Sequence, residues 1–377
     1  MNNQISKKDT SVEWIRIIGC IMVVGAHVRL GNFDSAGQLN RGCLYISCLL
    51  ADGVSIFWLI AGFFMFQGSS FTNKLKSLLK RIIIPTVIYL VFAQMIEAWI
   101  SDPGLSNFRL SISNINLINI VKGFLSQNTQ MFSYGIHLWY VFTYSVVVLM
   151  YPLLKCLCNS EAKTTDRARH YVIFMSLILI LLSELQLIVR FPVSIASFSM
   201  LASHALFVVI GYELSRHKEK IKSVRYMWLY GLAVFFLVNI IRMFAQGYLY
   251  NIDISNERYL FWNSIFGFLS SVSLFCGVYS INVKGKVVDN IALHVGKCTF
   301  EVYLIHLLVM YKLNALGLRD WLLAINKGEE GHFIDHLAFT AEYTVIVFLV
   351  SLLICILGRM FLIFVKKLTN KIANCLT

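Results

Sequence analysis

The chain has 377 residues, of which 58% are hydrophobic and only 14% are charged, and its formal net charge is +13. Water-soluble proteins carry about 25% charged and about 45–50% apolar residues, so this composition excludes an ordinary soluble domain. In a soluble protein the positive charge would suggest a nucleic-acid partner, but cytoplasmic loops of membrane proteins also collect Lys and Arg. We therefore interpret the chain as an integral membrane protein that binds membrane lipids and no nucleic acid.

An apolar stretch of about 18 or more residues is long enough to cross a bilayer as a helix. Such stretches predict ten transmembrane helices, over residues 12–30, 43–67, 82–100, 137–155, 171–189, 195–214, 226–245, 260–282, 297–314 and 338–365. Most of the 33 Lys and Arg residues fall in segments that are cytoplasmic if the N-terminus is inside. The sequence thus predicts an all-α polytopic membrane protein of about ten transmembrane helices, with both termini in the cytoplasm.

No segment between the predicted helices is long enough to form a second domain. The longest, residues 101–136, has 36 residues, which is below the size at which a domain normally folds alone. We therefore expect residues 1–377 to form a single integral-membrane domain whose chemistry lies among its helices. The nine cysteines form neither a disulfide framework nor a zinc-ligand pattern, and we expect no metal.

The first predicted helix contains three ionisable residues, Glu13, Arg16 and His27. Such groups are costly inside a membrane, by about 2.5–3.5 kcal/mol at its centre, and are functional candidates by default. Arg16 and His27 are 11 positions apart, which places them on one helix face about 16 Å apart along the axis. Glu13 lies one turn before Arg16, within reach of an i,i+3 ion pair. The alternatives are an interfacial anchor for Arg16 and a helix-bridging role for His27.

Five segments of the chain resemble, in order, the motifs of the membrane acyltransferase family 3, the bacterial inner-membrane O-acyltransferases. The first helix matches its acidic-x-x-Arg motif with a His after ten intervening residues. The segments are SVEWIRIIGCIMVVGAHV, DGVSIFWLIAGFFMF, KRIIIP, HLWYVFTYSVVVLMYPLL and GKCTFEVYLIH, and the motif residues within them extend from Glu13 to His306. The chain departs from the family pattern at Trp58, Ala61, Thr299 and the reduced basic pair Lys80-Arg81.

The resemblance implies an acyltransferase that uses acyl-CoA, most simply acetyl-CoA, as co-substrate. It implies that His27 is the catalytic residue and that Arg16 belongs to the acyl-donor site, and we expect Arg16 and its neighbour Glu13 to take part in catalysis with His27. With the phosphates of the donor near Arg16, Lys80 and Arg81, its arm would point toward His27. A histidine suits the base that removes the proton of an attacking hydroxyl, although a transiently acylated His27 is the alternative.

The acceptor side is predicted from polar and aromatic residues on two later helices. His137 and Trp139 open the fourth predicted helix, and Tyr303 and His306 lie one turn apart on the ninth. We interpret these four as candidates for binding a sugar acceptor. The alternatives are an interfacial aromatic belt for the first pair and a helix-bridging, structural role for the second.

Three further ionisable residues lie within predicted spans. Asp52 and Glu301 could each orient a histidine or pair with a lysine, and we assign neither to catalysis. His204, in the sixth predicted helix, matches no motif and is interpreted as structural.

The resulting hypothesis is an acyltransferase of the bacterial inner membrane whose partner is a cell-surface or lipid-linked glycan. One alternative is a transporter or flippase of a polysaccharide intermediate, since charged residues in helices also line transport paths. Such transporters are often built from paired halves with broken helices, and the four prolines show no match between halves. The second alternative is a non-catalytic sensor with the same fold. The sequence leaves open the acceptor sugar and the choice between acetyl and succinyl.

Overall fold

A computed structural model of the chain describes residues 9–67, 70–104, 108, 110–112, 115–126, 134–158, 163–189, 196–252, 264–281, 285–328 and 331–376. Helices account for almost all of these residues, and the described part contains one isolated β-bridge, Phe33 to Leu39, but no strand. The expected all-α class is confirmed.

The helices follow one another with short connections. They are α1 (Thr10–Val28), α2 (Arg41–Ala51), α3 (Gly53–Met65), α4 (Phe71–Leu78), α5 (Ile84–Met95), α6 (Glu97–Ile100), α7 (Leu117–Ser126), α8 (Trp139–Leu149), α9 (Tyr151–Cys158), α10 (Lys163–Val189), α11 (Ala196–Arg216), α12 (Lys218–Ser223), α13 (Met227–Ile252), α14 (Ile265–Ser280), α15 (Lys286–Ala315), α16 (Leu318–Ile325) and α17 (Phe333–Leu376). A π-helical turn, Leu79–Ile83, joins α4 to α5, and a 3-10 turn, Ile136–Leu138, precedes α8.

Where the structure describes the chain, each predicted apolar stretch is occupied largely by one helix or by consecutive helical segments. Residues 195, 260–263 and 282 of these stretches lie outside the described residues. Within the described residues, six helical segments are long and apolar enough to cross a membrane, or up to seven if the bent pair α8–α9 counts as one span. Many large apolar side chains are exposed on helix surfaces, among them Ile88, Leu237 and Phe361, as expected where a helix faces lipid. The chain is thus a multi-pass membrane protein, whereas the count of ten spans and the orientation of the termini stay predictions.

Two predicted spans are divided between consecutive helices, and the second of them is sharply bent. The 43–67 stretch divides into α2 and α3 at Asp52, whose backbone C-caps the first helix and N-caps the second. The helices α8 and α9 meet at 63° next to Pro152, which has no N–H to continue the helical hydrogen bonds. Both breaks lie inside apolar stretches, where hydropathy alone indicates a straight helix.

Helix α1 lies at the centre of the fold, in contact with α2, α3, α14, α15 and α17. Small residues allow the closest helix crossings around it. A Cβ added to Gly62 of α3 would collide with the backbone carbonyl of Val208, and one added to Gly211 of α11 would collide with that of Leu59. Such close backbone approach at small residues is how transmembrane helices pack without a hydrophobic driving force between them.

The predicted orientation has a direct test in cysteine labelling of intact cells. Lys220 on α12 and Ile112 in the segment before α7 are both exposed. We expect Ile112→Cys to react with a membrane-impermeant maleimide in intact cells, and Lys220→Cys to react only after the membrane is opened, because basic loops stay in the cytoplasm. The unsubstituted chain, with its own cysteines, is the control. Labelling of Lys220→Cys in intact cells would contradict the proposed topology.

Candidate active site

The ion pair predicted on the first helix is present. Arg16 Nη1 donates to Glu13 Oε2 across 2.6 Å. Glu13 is buried, and its carboxylate lies against Gly296 of α15, where an added Cβ would collide with it. The Arg16 side chain is 26% exposed. The Glu13 carboxylate, buried against α15, therefore holds Arg16 in place, while part of the Arg16 side chain stays accessible.

That accessible part of Arg16 faces a cavity of about 930 Å³. The cavity lies between α1, α3, α4, α8 and α15, and it extends along α15 from Asp289 to Tyr303, about 20 Å of helix. Five cationic side chains line the cavity, namely Arg16, Lys74, Arg81, Lys218 and Lys222. Three acids also line it, Asp9, Glu13 and Asp289. The lining is therefore rich in the side chains that bind phosphate groups.

Tyrosine side chains line the cavity at the end that reaches Tyr303 of α15. Tyr140 and Tyr144 of α8 stack on each other with ring centres 5.9 Å apart, and Tyr140 lies 6.0 Å from Tyr303. The hydroxyl of Tyr303 donates to the backbone carbonyl of His137. Both Tyr140 and Tyr303 line the cavity, whereas His27 and His137 do not. The ring of Tyr303 therefore lies between the cationic cavity and a histidine cluster beyond it.

Three histidines that are far apart in the sequence meet in this cluster. The ring centre of His27 lies 5.2 Å from that of His306 and 6.4 Å from that of His137, and the last two are 4.9 Å apart. His137 and His306 are buried, whereas the side chain of His27 is exposed. The expected catalytic residue is thus the accessible member of a group whose other members are enclosed.

Two other expected site residues lie away from the cavity. Lys80 is exposed in the π-helical turn and is absent from the cavity lining, whereas its neighbour Arg81 lines it. Trp139 faces His204, 6.4 Å away between ring centres, and His204 packs edge-on against the buried ring of Trp58 at 4.9 Å. The packing of His204 in an aromatic environment agrees with its structural interpretation.

Asp52 takes part in a buried network of its own, remote from the histidines. Its carboxylate pairs with Arg242 Nη1 at 3.0 Å, and both side chains are fully buried. Ser270 donates to the other carboxylate oxygen, and Nη1 of Arg242 also donates to Asn239 and to the carbonyl of Cys48. The sequence indicated a histidine or lysine partner, and the observed partner is an arginine because α13 packs against α2.

Glu301 also pairs with an arginine, Arg359 of α17, rather than with a histidine or lysine. These contacts hold α15 to α17 on a half-exposed face. Among the described residues, no group of three or more His, Cys, Asp or Glu side chains is arranged to hold a metal ion. The eight cysteines whose side chains the structure describes are all free.

The cavity includes residues that sequence reasoning did not connect with the first helix. Lys74, Lys218 and Lys222 counted only as cytoplasmic charge, and they line the cavity because α4 and α12 reach its edge. Tyr144 carries a weak local signal, since it follows Tyr140 by four positions and shares its helix face. The lysines carry no such signal, because their proximity to Arg16 arises from the packing of separate helices.

Comparison with known proteins gives one match. Residues 9–360 match a family model described as "Acyltransferase domain", which covers nearly the whole chain and agrees with the resemblance identified in the sequence. No curated protein and no solved structure matches the chain.

The Asp52–Arg242 pair should stabilise the fold rather than support catalysis. Removal of one partner leaves an uncompensated buried charge, which typically costs about 3–5 kcal/mol. We expect Arg242→Met to lower the thermal unfolding midpoint of the detergent-solubilised protein, and we expect Asp52→Leu combined with Arg242→Met to recover much of that loss. If Arg242→Met unfolded at the same temperature as the unsubstituted chain, the stabilising role would be refuted.

Proposed function

The chain belongs to this acyltransferase family, and on that premise we propose that it transfers an acyl group from acyl-CoA, most simply acetyl-CoA, to a hydroxyl group of a cell-surface or lipid-linked glycan. The observation that carries the proposal is the arrangement of one cavity: cations along its length, aromatic rings at one end, and the histidine cluster directly behind those rings. We propose that the protein works in the bacterial inner membrane.

The cationic lining supports a donor with several phosphate groups. Arg81 and Arg16 offer planar guanidinium groups that bind phosphate oxygens in pairs, and the lysines supply point charges. Glu13 would keep Arg16 in place through its 2.6 Å ion pair, since that carboxylate is enclosed against α15. The phosphates would then lie toward the basic end of the cavity and the acyl group toward Tyr140 and Tyr303.

His27 is proposed as the general base. Its free nitrogen takes the proton of the acceptor hydroxyl as the hydroxyl oxygen attacks the thioester carbonyl. The new C–O bond forms, the C–S bond breaks, and the departing thiolate receives the proton from the imidazolium. Tyr303 lies between the cavity and the cluster, and its hydroxyl is hydrogen-bonded to the His137 carbonyl. The arriving acyl group would therefore displace the ring of Tyr303 and break this hydrogen bond.

Residues beyond Tyr303 would then meet the acceptor. His27 is exposed at the end of α1, so a sugar hydroxyl can approach it from outside the donor cavity. His137 is buried 6.4 Å from His27 between ring centres, so we propose that it contacts a bound sugar only if the cluster opens. Trp139, half-buried two residues later, is proposed to stack on a sugar ring. These acceptor contacts are proposals, as is the choice of acetyl.

The proposed activity is tested by incubating membranes that contain the protein with radiolabelled acetyl-CoA and a glycan extract of the producing cells. We expect label to appear in the glycan, in ester linkage. Membranes without the protein are the control. Unlabelled glycan, together with retention of intact acetyl-CoA, would contradict the proposal and favour the transporter or sensor alternative.

Substitution of His27 should stop transfer without loss of protein. Loss of one general base typically lowers the rate by about 10²–10⁴-fold, and we expect His27→Ala to fall in that range at a normal level in the membrane. His294→Ala is the matched control, because His294 is exposed on α15 and absent from the cavity lining. A His27→Ala protein that acylates glycan at the unsubstituted rate would remove His27 from the mechanism.

The adjacent residues Lys80 and Arg81 provide a test of where the acyl donor binds. Arg81 lines the cavity and Lys80 does not, although both carry one positive charge. A hydrogen bond to a charged group contributes about 1.5–3 kcal/mol, or about tenfold or more in affinity. We therefore expect Arg81→Ala to raise the KM for acetyl-CoA about tenfold, and Lys80→Ala to raise it much less. An equal or larger effect at Lys80 would contradict this placement of the donor.

A further inference from the structure

The hydrogen bonds of two buried histidines define where their protons lie. His137 Nε2 is 3.2 Å from the carbonyl oxygen of Leu304, and His306 Nδ1 is 2.7 Å from the carbonyl oxygen of Tyr303. A carbonyl oxygen only accepts hydrogen bonds, so each of these nitrogens carries the hydrogen. In a neutral imidazole the other ring nitrogen is then an acceptor, namely Nδ1 of His137 and Nε2 of His306.

Neither acceptor nitrogen has a hydrogen-bond partner among the described residues. Both side chains are buried, with 2% of His137 and none of His306 exposed. A buried polar atom without a partner destabilises a fold, and a role in function is one explanation for such an atom. These two acceptors therefore offer a hydrogen-bonding site to an N–H or O–H donor next to the cluster.

One donor next to the cluster is His27, the exposed histidine. Two imidazoles joined by an N–H···N hydrogen bond have ring centres about 5 Å apart, since a bond of about 3 Å adds to the distance from each ring centre to its nitrogen. The His27–His306 separation of 5.2 Å meets this requirement, whereas the His27–His137 separation of 6.4 Å exceeds it. The two rings are tilted by 45° to each other, so the bond would form once a nitrogen of His27 faces Nε2 of His306.

We propose that His306 is a positioning residue whose Nε2 accepts an N–H of His27 and thereby aims the other nitrogen of His27 at the acceptor hydroxyl. This inference rests on the proposed function. A neutral histidine presents one N–H and one lone pair, and a fixed partner for the N–H determines which nitrogen acts as the base. When His27 takes the hydroxyl proton it carries two N–H groups, and His306 remains the acceptor for one of them.

The proton balance requires nothing beyond the acyl donor and acceptor. The proton moves from the hydroxyl to His27 and then to the departing thiolate, while His306 keeps its own proton at Nδ1. A neutral partner also agrees with the ion pairs of the described residues, because Glu13, Asp52 and Glu301 are each paired with an arginine rather than with a histidine.

Two amide substitutions separate the two nitrogens of His306. The side-chain amide of Asn lies near the position of Nδ1, so His306→Asn retains a donor to the Tyr303 carbonyl and removes the acceptor at Nε2. The longer Gln places its amide oxygen near Nε2, so His306→Gln restores the acceptor. We expect His306→Asn to lower kcat about tenfold or more, with the KM for acetyl-CoA unchanged, and His306→Gln to stay within about threefold of the unsubstituted kcat.

A double variant distinguishes positioning from structural support. If His306 acts through His27, His306→Asn should cause no further loss in a His27→Ala background, because residues that act as a unit are non-additive. Each rate is divided by the amount of folded protein. That amount is measured from the single peak that the detergent-solubilised protein gives in size-exclusion chromatography. His137→Gln is measured beside the two His306 variants. Equal kcat values for His306→Asn and His306→Gln would overturn the proposal, and so would a loss of kcat in His137→Gln without a loss in His306→Asn. Failure of the unsubstituted protein to transfer label would instead refute the proposed function.

Discussion

The packing of α1 along α15 is the constraint on which the site depends. Gly296 has no side chain, so α15 approaches close enough to enclose the carboxylate of Glu13, and that carboxylate holds Arg16 toward the cavity. The two helices remain in contact as they continue, so the end of α1 brings His27 to His306. One helix pair therefore places both the cation of the donor cavity and the exposed histidine, about 16 Å apart along α1.

Ionisable residues within the helices fall into two groups with different consequences. Asp52 and Glu301 are paired with arginines that hold neighbouring helices together, which satisfies the requirement that charge inside a membrane be compensated. The histidines are different, because His137 and His306 are bonded to backbone carbonyls and each retains an acceptor nitrogen. Buried atoms without a hydrogen-bond partner also occur elsewhere among the described residues, so the meeting of three histidines, one of them exposed, is what distinguishes the candidate site.

Tyr303 separates two environments that the proposed reaction must connect. On one side is the cationic cavity, and on the other is the cluster of neutral imidazoles. In the proposed reaction, this ring would keep the acyl donor apart from the exposed His27, where the acceptor would enter. Water that reaches His27 would then be kept from the thioester until the acyl group displaces the ring, which would favour transfer over hydrolysis.

Features that depend on spacing within one helix can be predicted from the sequence alone. Apolar stretches located the helices, and the geometry of 3.6 residues per turn predicted both the Glu13–Arg16 pair and the common face of Arg16 and His27. Which distant surfaces meet is seen only in the folded chain: the arginine 190 positions from Asp52, the lysines of the cavity and the meeting of the three histidines. Helix periodicity is encoded locally, whereas contacts between transmembrane helices arise from close packing and hydrogen bonds between segments far apart in the chain, which one sequence does not reveal.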